Sequence, residues 1–210
     1  MTRDVEQFPI AGHGRQRLLE TAAELLDRDG IDGCSARAIA TAAGHRNVAA
    51  VNYHFGNREQ LVRAVLTSRS ATIDAQRHVL LDDLEANGDV TPRDALAATL
   101  APLVALLDEP AGRRHLRLIN QAANHPAYFA HASIRSVAGA ARGAAHLAPL
   151  LHHVPPATRP QRAQHVFGMT LYALAEQARL LDTDPPPRPV LDAATFTTDL
   201  IDTVIGALSA

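Results

Sequence analysis

The sequence predicts an all-α protein in two parts: a three-helix head containing a helix-turn-helix over residues 14–66, and a helical body over residues 67–210. A flexible arm at residues 1–13 precedes them. Three observations lead there. Apolar residues recur at three- and four-residue spacing along most of the chain, and no stretch alternates with the period of two that a half-buried strand needs. Stop signals at Asp29-Gly30, Asn87-Gly88, His125-Pro126 and Val154-Pro155-Pro156 cut that pattern into helix-sized lengths. Residues 35–55, SARAIATAAGHRNVAAVNYHF, read as two short helices joined by a tight turn.

In order, the opening MTRDVEQFPIAG has no period and predicts the arm. From Gly14 to Asp29, Leu18, Ala22, Leu25 and Leu26 form one stripe, and Ile31 turns back toward the core. Ser35 is a good N-cap for the next helix, in which Ile39 and Ala43 fall at i and i+4. Gly44 suits the left-handed residue that ends it. A second helix begins near Asn47, with Val48, Val51 and Phe55 as its inward stripe. Its other side carries Arg46, Asn47, Ala49, Ala50, Asn52, Tyr53 and His54. Two alanines ringed by hydrogen-bond donors let a backbone approach a wide surface, while the donors suit phosphates and base edges. Gly56-Asn57 starts a further helix at Arg58, packed through Leu61, Val62, Val65 and Leu66, with a helical pattern running on to about Glu85.

This segment resembles the DNA-binding head of the tetracycline-repressor (TetR) family of bacterial transcriptional regulators. The resemblance rests on Ile39-Ala40, Ala43-Gly44, the Tyr53-His54-Phe55 run and Arg58-Glu59, and covers residues 14–66. Two departures stand out: His45-Arg46-Asn47 make the turn one residue longer than the usual pattern, and Asn52 stands where many members have tyrosine. The resemblance implies a dimer on a palindromic double-stranded operator. The second helix would lie in the major groove, with Tyr53, His54 and Arg58 on phosphates and Arg46 or Asn47 at the groove edge. Ser35 and Arg37 would clamp the backbone, and Arg15 and Arg17 lie where members often touch phosphate.

Composition sets limits on function. Formal net charge is -2, so the chain carries no overall basic coat, yet between residues 33 and 66 Arg37, Arg46, Arg58 and Arg63 face only Glu59, a local +3. One cysteine, Cys34, forms no internal disulfide and suits a reducing cytoplasm. It precedes the Ser35 cap, and a small buried hydrophobe is expected there. The absence of a leader pattern and of a long apolar run points away from export or membrane insertion. Eleven histidines include no pair three or four apart, so no helical metal-ligand pair exists. No nucleophile elbow, phosphate loop or dinucleotide fingerprint occurs, so neither catalytic residues, metal nor cofactor is expected.

The body predicts helices from Thr91-Pro92 to about Asp108, over 111–124, over 127–148, from Arg159 to Leu181, and from Asp192 to Leu208, the last after the stiff linker DTDPPPRP. The final helix shows two apolar rows, Phe196-Leu200-Val204 and Ile201-Ile205-Leu208, and the 159–181 helix is apolar around much of its girth. This surplus predicts a homodimer through helices 159–181 and 192–208, the pair that forms a four-helix bundle in the family. An apolar effector cavity is expected, framed by the helices at 95–107, 111–124, 127–148 and 159–181. Leu103, Leu107, Leu116, Asn120, Phe129, Met169 and Tyr172 would line it, with His115, Arg117 and Gln121 as polar anchors for an unidentified small molecule. The favoured function is a ligand-released repressor; the alternative is a helical small-molecule-binding protein or enzyme without DNA binding.

Overall fold

The computed structural model of the chain describes residues 11–129 and 138–210, the side chains of residues 11, 12 and 129 excepted. Every regular element among them is helical. They fall into two compact units, one ending at Val65 and one beginning at Leu66. Most of the arm, together with residues 130–137 of the helix expected over 127–148, lies outside the described residues.

The first unit begins with α1 (Ala11–Asp29), so helix replaces the last residues of the expected arm. α2 (Ala36–Ala42) and α3 (Ala49–Phe55) follow, and α4 (Arg58–Thr67) leads out of the unit. The Ser35 hydroxyl caps α2 by accepting from the Ala38 N–H at 3.1 Å. At its far end Gly44, at φ +80°, lets two backbone bonds close: Gly44 N–H to the Thr41 carbonyl and His45 N–H to that of Ala40. That paired closure needs a left-handed residue, which explains the glycine. Leu18, Ala22, Leu26, Ile39, Val51, Leu61 and Val62 are fully buried. Val48 departs from the expected stripe: it is exposed, because α3 starts one residue later and the chain at Val48 is still turning.

In the second unit, α5 (Ser70–Ala86) is separate from α4, whereas the sequence pattern ran on unbroken to Glu85. The interruption at Ser68-Arg69 is not marked by Gly or Pro, so periodicity alone passes over it. α6 (Pro92–Val104) is capped by Thr91 and continues as a 3-10 turn at Ala105–Asp108. Next come α7 (Pro110–Ala123), the short α8 (Pro126–Phe129), α9 (Ala138–Leu147), α10 (Arg159–Leu181) and α11 (Ala193–Ser209), the last capped by Asp192. α7 and α10 pack along each other, and α9 crosses α5 and α6. That crossing depends on Gly139 and Gly143. A Cβ at Gly139 would come 2.8 Å from Asp74 Oδ1, and one at Gly143 would come 1.9 Å from Thr99 Oγ1. A larger residue at Gly143 forces the helices apart, at a cost of about 1–3 kcal/mol.

The body core runs from Ile73 through Leu100, Leu116 and Leu174 to Phe196, Leu200, Ile201, Val204 and Leu208, with Ile205 half-buried against it. Both apolar rows of α11 therefore pack within their own subunit. The outward positions are Thr198, Asp199, Asp202, Thr203 and Gly206. This corrects the premise that α11 has an apolar row to spare.

Candidate nucleic-acid interface and internal cavity

The outer side of the head is built by α2, the turn and α3. Asn47 Oδ1 accepts from the Ala49 N–H at 2.8 Å, which starts α3 and fixes the turn. Beyond it Ala49, Asn52 and Tyr53 are exposed, Tyr53 to 81%, while Ala50 and His54 are half-buried. The Tyr53 and His54 rings meet edge-on with centroids 4.9 Å apart, so each restricts the other's rotamer. An apolar contact surface with phenol, imidazole and amide groups around it is what remains facing solvent.

The arginines divide sharply. Arg37 and Arg46 are exposed and make no hydrogen bond or ion pair among the described residues. Arg15 lies with its guanidinium 4.9 Å from the centre of the Phe55 ring, a cation–π contact that leaves its N–H groups toward water. Arg58 is different and corrects the expectation that it holds phosphate. Its Nε donates to the Cys34 carbonyl at 2.6 Å and its Nη2 to the Ile31 carbonyl, tying α4 to the α1–α2 loop. Arg17, also at the start of α1, is similarly engaged: it donates to the Ala43 carbonyl at 2.6 Å, beside the end of α2. Arg63 pairs with Glu59 at 2.5 Å. The local surplus of three charges thus reduces to two free cations flanking α3, plus Arg15. Ser35 uses its oxygen as a cap acceptor, which leaves its O–H free to donate.

Cys34 is buried beside Asp29, whose Oδ2 is 3.4 Å from Sγ. Burial first, and the carboxylate second, push the thiol pKa up. The helix N-terminus beyond it does not reverse this, so the thiolate is suppressed.

In the body, a cavity of about 260 Å³ is lined from the end of α4 and from α5, α6, α7, α9 and α10. Its mouth lies at Ala141, Ala144 and Ala163, which are exposed. Of the residues expected to line it, Leu103 and His115 do. The structure places the others elsewhere, Phe129 excepted. Leu107 and Leu116 sit in the closed core, and Met169 packs on its edge. Arg117 is drawn away by Asp182, which it meets at 2.6 Å next to Arg113, also at 2.6 Å. Tyr172 points outward and is 62% exposed. Asn120 and Gln121 are half-buried outside the cavity. The side chain of Phe129 lies outside the described ones. Arg77, Ile73 and Phe167 line the cavity without having been expected there. Arg77 had a signal: Ile73, Arg77 and Leu81 are spaced by four, so an arginine occupies the buried stripe of α5.

Residues 18–65 match the family profile of the bacterial regulatory proteins of the tetR family. Among solved structures, one assigned to the TetR-family transcriptional regulators from Mesorhizobium loti is 20% identical, with 96% of this chain and 97% of that one covered at a TM-score of 0.50. One from Rhodococcus sp. is 18% identical over 94% and 100% of the two chains, TM-score 0.48. A TetR-family regulator from Streptomyces coelicolor is 16% identical over 97% and 99%, TM-score 0.48. The first supports a shared fold, and the other two fall below the level at which an overlay argues for one. No curated protein matches the chain.

Proposed function

We propose that the chain, whose residues 18–65 match the profile of the tetR family of bacterial regulatory proteins, is a DNA-binding transcriptional regulator and acts as a dimeric repressor released from a palindromic operator by a small molecule. The observation that carries this reading is the outer side of the head. α3 offers a small, alanine-centred surface with Asn52 and Tyr53 exposed, flanked by two arginines, Arg37 and Arg46, that have no partner among the described residues. A surface of that kind suits a groove with phosphates along its rims. In this reading Arg37, Arg46, Tyr53 and the Ser35 hydroxyl hold phosphates. Asn47, Ala49, Ala50, Asn52 and His54 meet the groove, and Arg15 contributes from α1.

The dimer is proposed through the outward sides of α10 and α11. With their apolar rows absorbed internally, support comes from Gly168 and Gly206. A Cβ at either would meet nothing within 4 Å, so a partner helix can approach closely there. Exposed Tyr172 lies one turn along from Gly168. The effector is assigned to the body cavity. Leu66 in the last turn of α4 and Ser70 at the start of α5 both line it, so a ligand touches the α4–α5 junction at the start of the body. A ligand that favours one arrangement of that junction changes the spacing of two reading heads, which must match successive major grooves about 34–36 Å apart. The chemistry proposed is binding alone, without catalysis, in the cytoplasm. No described helix is long and apolar enough to cross a membrane.

The experiment is selection of duplexes from a random pool by the full-length protein, with sedimentation of the complex. Recovery of a palindrome bound by two chains, or a multiple of two, is the expected result. Selection of no sequence would overturn the reading.

A further inference from the structure

The wall of the body cavity is apolar except at a few points, and two of them are buried basic side chains. Arg77 from α5 and His115 from α7 line it, and each is 6% exposed. Arg77 donates through Nε to the Thr99 carbonyl at 2.9 Å. Its terminal nitrogens have no hydrogen-bond or ion-pair partner among the described residues. Asp74, whose negative charge it feels, is engaged elsewhere: Oδ1 accepts from the Gly139 N–H at 2.8 Å and Oδ2 lies 3.7 Å from His78. His115 likewise has no hydrogen-bond partner among the described residues. Burial, with the charge of Arg69 behind it, pushes its pKa down to about 4, so near neutral pH it offers one N–H donor and one acceptor. Arg77 is thus the one formal charge on the described lining. A guanidinium taken out of water is costly to keep unless an anion meets it, and no residue of the lining supplies one.

We propose that the cavity takes a small monocarboxylate: the carboxylate sits on the free edge of the Arg77 guanidinium with His115 as a neutral hydrogen-bond partner, and an apolar tail lies along Phe167 and Leu171 toward the alanines at the mouth. This deepens the assignment of the cavity as the effector site and rests on it. A planar fork with two free nitrogens matches a carboxylate in number and geometry. A phosphate dianion would lack a second cation. Size narrows the tail. At roughly 30 Å³ per water-sized volume, about 260 Å³ holds about nine heavy atoms, the size of a seven-carbon acid.

The test is calorimetric titration of the full-length protein with heptanoate, heptan-1-ol and heptylamine, which share a tail and differ in charge. Wild type is compared with Arg77→Met, Arg77→Lys and Ala144→Phe, the last plugging the mouth. The expected result is one heptanoate per chain, bound at least ten-fold tighter than the alcohol, with the amine weakest. Arg77→Met should erase the preference for the acid, Arg77→Lys keep it, and Ala144→Phe abolish binding of all three. Equal affinity for acid and alcohol, survival of the preference in Arg77→Met, or acid binding that survives Ala144→Phe would each overturn the proposal. If Arg77→Met does not fold, the acid-to-alcohol ratio of the wild type and of Arg77→Lys decides. Alcohol binding that is lost in Ala144→Phe without any acid preference would sink the charge assignment but leave the cavity as a ligand site. Binding of none of the three overturns the proposal, and release of operator by some other compound, lost in Ala144→Phe, would still uphold the effector cavity.

Discussion

Head and body differ in what answers their arginines. In the head, Arg17 and Arg58 are turned inward onto the carbonyls of Ala43, Cys34 and Ile31 and Arg63 pairs with Glu59, while Arg37 and Arg46 are exposed with no partner among the described residues. In the body most arginines with a visible partner meet a carboxylate: Arg113 and Arg117 share Asp182, and Arg142 spans Asp82 and Glu85. Arg159 instead meets the backbone carbonyls of Val154 and His152, and Arg77 is buried with one backbone carbonyl and no acid among the described residues. Position in sequence does not separate these groups, since Arg58 and Arg46 both flank the reading helix. What separates them is whether the fold has already spent the charge. An arginine answered by the protein's own oxygens holds the fold together, and one left unanswered is available to an external anion.

The comparison breaks most visibly at Arg58. Arg58→Ala removes two charge-assisted bonds that tie α4 to the α1–α2 loop, and should destabilise the head by roughly 2–4 kcal/mol. Denaturant unfolding followed in the head measures it. A stability within a few tenths of wild type would mean that these bonds carry nothing and that Arg58 belongs with the free cations.

A second effect, somewhat smaller, concerns His115. Its folded pKa of about 4 lies below the ordinary 6.5 because burial, and then the charge of Arg69, disfavour the imidazolium. The unfolded chain therefore takes up the proton first as pH falls. Stability is fully present above about 6.5 and is lost between 6.5 and 4, by up to about 3 kcal/mol. His115→Gln should flatten that window. An unchanged slope in the variant would put the acid sensitivity elsewhere.

Two arginine-paired carboxylates give a weaker limb at lower pH. Glu85, held by Arg142 and then His146, and Glu176, held by Arg179 and then Arg188, both have pKa values lowered to about 2. Their contribution is present above the usual 4.5 and fades toward 2, and Glu85→Gln should shave only the part below 4.5. The smallest effect expected is at Cys34. Its buried thiol, with a raised pKa, should leave operator affinity unchanged by peroxide, and a peroxide response abolished in Cys34→Ser would contradict that.

What the sequence made legible follows the same division. The cap at Ser35 and the left-handed Gly44 are local devices, set by one side chain and the backbone beside it, and both stand as expected; the helix starts expected at Thr91 and Asp192 are where the structure caps α6 and α11. The fold class followed from periodicity for the same reason. The fate of Arg58 was not legible, because its acceptors lie 24 and 27 residues earlier in the chain. Nor was the cavity. Leu116 and Leu103 have the same character in sequence, and only the packing of α9 and α10 decides that one closes the core while the other faces the opening. Tyr172 and Arg117 misled in the same way, one turned outward and the other captured by Asp182. The break between α4 and α5 left no mark in composition at all.

The most direct test of the account is a salt titration of operator binding, using a duplex selected by the full-length protein, for wild type, Arg37→Ala, Arg46→Ala and Arg58→Ala at a temperature where all are folded. The account predicts that the slope of log affinity against log salt flattens by about one unit in each of the first two, and stays at the wild-type value in Arg58→Ala. Unchanged slopes in Arg37→Ala and Arg46→Ala, with flattening confined to Arg58→Ala, would contradict it.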